Sequence, residues 1–326
     1  MVSAVAELVR TEGVVLDGTG GTWHVRTNAG DTVSAALRGR VKNASDLKLA
    51  VGDHVVLERA VNSDAWAIGE ILPRRSQLAR REPGAGYGER VLAANVDQIV
   101  IVLAAAQPDP HLRMLDRFLV IAEADELHPR LVVNKLDLVD EGRVREQFAD
   151  YTRAGYAPFL TSVKTGEGIS ELRDAMNDRV SVFTGPSGVG KSSLLNAMYD
   201  GLKLRVSEIS ESVQKGRHTT VGGSLHPLPG GVGGYVVDTP GLREVGIWNV
   251  PPEALPICFP EFRPHLDGCR FGDCSHVAEP GCAVRAAVQS GAVSAVRYES
   301  YLRLREELEE AERMLAPHGR RHLRDR

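Results

Sequence analysis

Gly185-Pro186-Ser187-Gly188-Val189-Gly190-Lys191-Ser192 has the residue types and the spacing of a phosphate cradle. Its glycines let backbone N–H groups turn inward onto phosphate oxygens, Lys191 reaches toward the β and γ phosphates, and the Ser192 hydroxyl can ligate Mg²⁺. The apolar run from Val180 to Phe183 before it reads as a buried strand, and Ser193-Leu194-Leu195-Asn196-Ala197-Met198 after it reads as a helix start. Strand, glycine loop and helix is the context that such a cradle needs.

Asn134-Lys135-Leu136-Asp137 directly follows the apolar Leu131-Val132-Val133. A carboxylate at Asp137 can accept from guanine N1–H and from the exocyclic amine, two donors that adenine does not present. Asn134 braces loop and base, and the Lys135 stem packs over the ring. Thr161-Ser162-Val163-Lys164 ends the next apolar run and has the form of the loop whose backbone N–H, here that of Val163, contacts guanine O6. Asp238-Thr239-Pro240-Gly241 ends the run Tyr235-Val236-Val237. Asp238 there completes, with Ser192, the protein side of a Mg²⁺ shell, and the Gly241 N–H can follow the γ-phosphate. Between these lies a long polar segment with Lys215-Gly216-Arg217-His218-Thr219-Thr220. One of Thr219 and Thr220 is expected to close over Mg²⁺ and γ-phosphate when GTP is bound, which makes the segment a candidate switch.

The order of these pieces is unusual. Ordinary small GTPases run phosphate cradle, switch threonine, DxxG, NKxD, then the Ser-x-Lys loop; this chain runs NKLD, TSVK, GPSGVGKS, TT, DTPG. A circular permutation explains the order without a new fold, since joining natural ends and opening new ones is tolerated where termini lie close together. Behind the last motif comes Cys269-x4-Cys274-x-His276-x5-Cys282. Three thiolates and an imidazole can close a tetrahedral shell, the usual composition of a structural zinc site, and a closed shell leaves no position for substrate. The remaining cysteine, Cys258, is expected to be a buried or partly buried thiol.

The elements that must position these groups are legible in outline. Strands and helices alternate from Val96: Ile99–Leu103, a helical stretch Leu112–Ala124, Leu131–Val133, a helix-like Val144–Ala154, Pro158–Leu160, Ile169–Met176, then the strand before the cradle. That alternation predicts a parallel sheet covered on both faces, with a nucleotide at its strand ends. Residues 1 to about 72 hold five strand-like runs, Leu8–Leu16, Thr22–Thr27, Thr32–Leu37, His54–Ala60 and Ala65–Leu72, which fit an OB-type barrel. Arg74, Arg75, Arg80 and Arg81 precede Pro83-Gly84-Ala85-Gly86-Tyr87-Gly88, a basic and then glycine-rich connection that reads as a solvated linker or as an RNA-phosphate contact. Val296–Leu315 is a charged helix with Tyr298, Leu302, Leu308 and Leu315 among its apolar positions, expected to pack on the cysteine module, and a basic tail from His318 to Arg326 closes the chain.

Composition sets the limits. The chain has 326 residues, 43% of them hydrophobic, enough for two or three domains. A net charge of −4 argues against a protein that coats nucleic acid non-specifically. Neither a secretory leader nor an apolar run of about 18 residues is present, so the expected location is cytoplasmic, with no membrane partner. Nothing in the sequence suggests an obligate dimer, so a monomer is expected.

The permuted order, the barrel in front and the cysteine module behind resemble the circularly permuted, small-subunit-dependent GTPases of the RsgA or YjeQ group. GPSGVGKSS at 185–193, GRHTT at 216–220, DTPG at 238–241, CRFGDCSH at 269–276 and EPGC at 279–282 carry the resemblance. It implies an OB fold in front, zinc as the metal, and a bacterial assembly factor that binds the small ribosomal subunit and its rRNA late in maturation, hydrolyses GTP there and leaves. Leu242 stands where many GTPases place the glutamine that orients water, and family members share an apolar residue there. His218 is then the candidate for positioning water, or else an rRNA contact.

The architecture expected is therefore multidomain: an N-terminal OB-type β-barrel over 1–75, a linker over 76–92, a circularly permuted α/β P-loop GTPase domain over 93–250, and a C-terminal helical zinc-binding module with helix and basic tail over 251–326. Two other functions fit the same residues, a GTP-gated RNA-binding module with incidental hydrolysis and a metal-delivery GTPase.

Overall fold

The computed structural model describes residues 7–39, 48–81, 89–199, 202, 223–230, 233–238 and 250–315. His218, Thr219, Thr220, Gly241, Leu242 and the tail from 316 lie outside the described residues, as does the side chain of Asp238. Its contacts divide the chain into two units, one of Met1–Pro110, Asp125–Glu141 and Pro158–Val245, the other of His111–Ala124, Gly142–Ala157 and Gly246–Arg326.

In the first unit, β1 (Leu8–Thr19), β2 (Thr22–Thr27), β3 (Thr32–Leu37), β4 (His54–Ala60) and β5 (Trp66–Ile71) close a barrel in the order β1-β2-β3-β5-β4, matching the five expected strand-like runs, with β1 three residues longer. β3 and β5 run parallel and the other pairs antiparallel. Val15, Val25, Ala35, Val55, Leu57 and Ile68 fill it, one side chain in two along each strand, as the strand period requires.

The stretch read as a linker contains a two-stranded antiparallel ribbon, β6 (Gln77–Arg81) with β7 (Glu89–Ala94). Arg74 is neither solvated nor offered to phosphate. Its Nε and Nη2 donate to Asp53 at 2.7 and 2.9 Å, and the Asp53 side chain is fully buried. Asn95 adds a second tie, donating to the Gly52 carbonyl at 2.9 Å and accepting from the Arg75 N–H at 2.9 Å. Gly52 sits at φ +84° with the Ala94 carbonyl 2.2 Å from where a Cβ would stand, so the close approach demands glycine.

The sheet of the same unit has the order β10-β9-β8-β11-β13-β12, with β8 (Gln98–Ala104), β9 (His128–Asn134), β10 (Phe159–Leu160), β11 (Val180–Thr184) and β13 (Tyr235–Asp238) parallel and β12 (Ser224–Pro227) antiparallel at the edge. All seven residues of β8 are buried, which is why it reads as a continuous apolar run. Leu172, Met176, Leu194, Leu195 and Met198, from the helical segments after β10 and β11, pack on Val100, Val102, Val132, Phe183 and Val236. The chain leaves β8 toward β9 and β10, then returns to β11 on the other side of β8. That reversal is where open α/β sheets hold ligands, beyond the carboxyl ends of the strands.

The second unit holds α1 (Leu112–Ala124), the rest of α2 (Glu141–Gln147) after its first residue, α3 (Ala149–Arg153), the cysteine segment, α6 (Ala283–Gln289) and α7 (Ala295–Leu315); α4 (Ile169–Asp174) and α5 (Lys191–Met198) belong to the first. The buried face of α7 is Arg297, Ser300, Tyr301, Leu304, Leu308 and Ala311. Among the described residues, no helix is long and apolar enough to cross a membrane.

Candidate functional site

Four parallel strands deliver three motifs, and the backbone of Asp238 from a fourth, to one edge of the sheet. Asn134 ends β9, Thr161 follows β10, Gly185 follows β11, and the Asp238 backbone ends β13. Residues separated by up to about a hundred positions are thus brought together by strand direction alone.

The cradle has the backbone that its glycines were expected to allow. Gly185 has φ +134° with the Val102 carbonyl 2.0 Å from its hypothetical Cβ, and Gly190 has φ +93° with Asn134 Nδ2 at 2.5 Å, so neither position accepts a side chain. Gly190 caps α5, which opens on Lys191 and Ser192, both nearly buried. Lys191 folds back over the loop and donates from Nζ to the Gly185 carbonyl at 2.9 Å and the Pro186 carbonyl at 2.7 Å. Its ammonium is thereby held against the first two residues of the loop. Among the described residues none accepts from the N–H of Gly188 or Gly190, and both lie where the positive end of a helix favours an anion.

Asn134 joins this loop to the loops after β9 and β10. Its Nδ2 donates to the Val189 carbonyl at 2.8 Å, and its Oδ1 accepts from Thr161 Oγ1 at 3.2 Å; both side chains are buried. The next residue, Lys135, adopts the left-handed conformation at φ +63° and donates from Nζ to the Gln107 carbonyl. Asp137 Oδ1 accepts from Ser162 Oγ at 2.7 Å, and Lys164 Nζ stands 3.6 Å from Oδ2. The Ser162 hydroxyl, more than the Lys164 charge, holds the Asp137 carboxyl below its ordinary range, so it is an acceptor at neutral pH. The Leu136 N–H donates to the Thr161 carbonyl at 3.1 Å, fastening the two loops together, while the Val163 N–H meets no acceptor among the described residues. The sequence motif contained Thr161 without giving it a role, and the Gln107 carbonyl was missed. Thr161 was visible as the residue before Ser162, whereas a backbone carbonyl leaves no mark in a sequence.

A separate centre lies in the second unit. Cys269, Cys274, His276 and Cys282 bring their ligand atoms within 4.8 Å of one another, with His276 Nδ1 3.5 Å from both Cys269 Sγ and Cys282 Sγ. Tetrahedral bonds of about 2.3 Å to sulfur and about 2.0–2.1 Å to nitrogen put such atoms about 3.5 Å apart, so the donor set fits one metal ion. The Ala283 and Arg285 N–H groups donate to Cys269 Sγ and Cys282 Sγ, each at 3.4 Å. The surrounding loop is fixed by hydrogen bonds: Tyr298 OH donates to the His276 carbonyl at 2.7 Å and Tyr301 OH to the Ser275 carbonyl at 2.6 Å. Glu279 accepts from the N–H of Ser275, Val277 and Ala278. Burial opposes its charge, but these donors and the Ser275 hydroxyl outweigh burial and hold its carboxyl at about 2. Cys258, the fourth cysteine, is buried elsewhere with its Sγ 3.5 Å from the Ala254 carbonyl.

Comparison with known proteins agrees with this geometry. The family model described as RsgA GTPase matches residues 71–248. A small ribosomal subunit biogenesis GTPase RsgA of Gemmatimonas aurantiaca is 57% identical over 301 residues, covering 91% of this chain and 97% of that protein. The protein of the same name from Chlorobaculum parvum is 41% identical over 307 residues, covering 91% of this chain and 98% of its own length. Among solved structures, YjeQ from Thermotoga maritima is similar with a TM-score of 0.77 at 36% identity, over 96% of this chain and 100% of that one. YloQ, described as a circularly permuted GTPase, is similar with a TM-score of 0.72 at 29% identity, over 95% and 98%.

Proposed function

The chain belongs to the RsgA GTPase family, and on that premise we propose that it hydrolyses GTP as a biogenesis factor of the small ribosomal subunit, docking on that particle and its rRNA, where hydrolysis is stimulated and coupled to release. The observation that carries this reading is the bond between Asn134 and the Val189 carbonyl, because it ties a guanine-reading loop to a phosphate cradle.

Asp137 accepts from guanine N1–H and the exocyclic amine, the Val163 N–H donates to O6, and the Lys135 stem covers the ring. Leu136, buried behind them, holds the loop against the sheet. The N–H groups from Gly185 to Ser193 surround the phosphates, and Lys191 exchanges its Gly185 and Pro186 carbonyls for phosphate oxygens. Ser192 and Asp238 would hold Mg²⁺, which would neutralise phosphate charge. Thr219 or Thr220, together with Gly241, closes over the γ-phosphate, and His218 accepts a hydrogen bond from the attacking water. Cys269, Cys274, His276 and Cys282 hold one structural Zn²⁺, which ties the loop from 269 to 282 into one piece. Functional boundaries at 1–75, 76–92, 93–250 and 251–326, a monomeric state and a cytoplasmic location complete the reading.

Nucleotide titrations of the wild type and Asp137→Asn with GTP, ATP and xanthosine triphosphate test it. The wild type should select GTP, and the variant should lose GTP and gain the xanthosine nucleotide by factors up to about 10⁴, because the amide now offers the donor that the xanthine carbonyl needs. Turnover measured with and without purified small subunits separates an activated enzyme, whose rate rises, from a GTP-gated binder, whose rate stays flat.

A further inference from the structure

The residues that face into the barrel change character along its axis. In its middle they are Val15, Val25, Ala35, Leu57 and Ile68, all buried. One step further in phase, toward the end carrying loops 28–31 and 61–65, they become Thr27, Val33, Arg59 and Trp66, and on β1 Gly13 and then Thr11. Thr11, Thr27, Val33, Arg59 and Trp66 line the mouth. These five surround a cavity of ≈ 570 Å³ with Asp31 and Asp64 at its rim. The mouth of a barrel is a common place for a ligand cavity of this size.

The groups in this mouth are not matched to one another. Thr27 is only 8% exposed, yet its Oγ1 meets no hydrogen-bond partner, although buried hydroxyls are nearly always paired. Arg59 is already engaged: Nη1 donates to the Ser63 carbonyl at 3.1 Å and the guanidinium lies 5.1 Å from the Trp66 ring centre. Asp31 and Asp64, both exposed, make no ion pair or side-chain hydrogen bond among the described residues. The mouth therefore sets two carboxylates and an unpaired hydroxyl against one committed cation, beside the apolar surfaces of Trp66 and Val33.

We propose that this mouth binds an arginine side chain presented by a protein segment. A guanidinium is flat enough to enter along Trp66, brings five N–H donors in a fixed fork, and pairs with carboxylates through two parallel bonds. One added cation also balances the charge of Asp31, Asp64 and Arg59. An RNA strand would instead bring phosphates toward two uncompensated carboxylates, which sets this site apart from any rRNA contact. The inference concerns the barrel alone and does not depend on the nucleotide reading.

The test uses the full chain, with the indole N–H resonance of Trp66 assigned through Trp66→Phe, titrated with acetyl-Ser-Arg-Ser-amide, its citrulline analogue and a hexauridylate RNA. Saturable shifts with the arginine peptide are expected, about tenfold weaker with citrulline and about tenfold weaker in the Asp31→Asn/Asp64→Asn double variant, whose GTP affinity stays unchanged. Thr27→Val should raise the Tm of the free chain, because it removes an unpaired buried hydroxyl, while weakening the peptide. Equal binding of citrulline, undiminished binding by the double variant, a Trp66 response to RNA but not to the peptide, no saturable response at all, or a lowered Tm for Thr27→Val would each overturn the proposal.

Discussion

Asn134 donates to the Val189 carbonyl at 2.8 Å across 55 positions of sequence, so the loop after β9 holds the loop after β11 in shape. Its other amide atom accepts from Thr161, which makes one side chain the common post of base loop, O6 loop and cradle. Asn134→Ala leaves a buried carbonyl and a buried hydroxyl unpaired, each a loss of about 1–3 kcal/mol. GTP and GDP affinities should fall together, since the cradle and the base loop are loosened alike, with turnover at saturation much less affected. Gly190→Ala should reproduce the defect, because its Cβ would stand 2.5 Å from Asn134 Nδ2. Calorimetric titration of both nucleotides checks it; loss of GTP alone would point to a γ-phosphate role instead.

Ser162 sets the charge of the base reader. Its hydroxyl donates to Asp137 and, as the largest contribution, lowers that carboxyl below its ordinary 3.8. The charged carboxylate is favoured in the folded chain, so guanine selection is complete above the ordinary carboxylate range and is lost only as pH falls through the lowered value. Affinity for GDP should therefore be flat from neutral pH down to about pH 5. Ser162→Ala should move the acid limb upward and weaken GDP at its plateau, and a pH series of dissociation constants for both proteins reads both effects.

Much of this was legible because loops at strand ends are chosen for chemistry. The helix Leu112–Ala124 and the strands of the barrel follow the apolar period, and GPSGVGKS and NKLD carry residues that nothing but a ligand-facing backbone requires. What stayed hidden are pairings between charges far apart in sequence. Arg74 reads as part of a basic linker, but it is sealed on Asp53. Arg297 reads as one more charge on a charged helix, although it lies in phase with Tyr301, Leu304, Leu308 and Ala311 on the buried stripe. A cation in the apolar phase of a helix was the available signal, and its partners Asp116 and Glu261 could be found only by folding the chain.

The cysteines offer a sharp contrast within one chain. Cys258 is as buried as any ligand but stands outside the cluster, so Cys258→Ser should leave metal content unchanged, whereas Cys274→Ser removes a donor from a four-atom shell. Atomic absorption on purified protein should give one zinc per chain for the wild type and Cys258→Ser, and a large loss for Cys274→Ser. Because binding and local folding are coupled, a strong chelator should lower the protection of the Ser275 to Cys282 amides in hydrogen exchange. Retained zinc in Cys274→Ser would remove that residue from the shell.

Arg297 is a charged side chain sealed inside the second unit. It is 1% exposed, donates to Asp116 at 2.5 Å and to Glu261 at 2.7 Å, and lies 4.6 Å from the Phe259 ring centre and 5.3 Å from that of Tyr151. Burial alone would disfavour its charge, but Glu261 and Asp116 outweigh burial and keep it ionised. Through these contacts α7 is joined to α1, to Tyr151 of α3 and to the stretch Phe259–Glu261. Arg297→Met strips two buried carboxylates of their cation, and breaking such a pair from one side costs about 3–5 kcal/mol. Arg297→Lys should recover little, because a single ammonium cannot serve both carboxylates and the aromatic faces as a planar fork does. Combining Arg297→Met with Asp116→Asn and Glu261→Gln should restore part of the loss by removing the stranded charges. Urea denaturation of the four proteins measures it, and a triple variant no more stable than Arg297→Met would show that stranded carboxylate charge is not what the single variant suffers from.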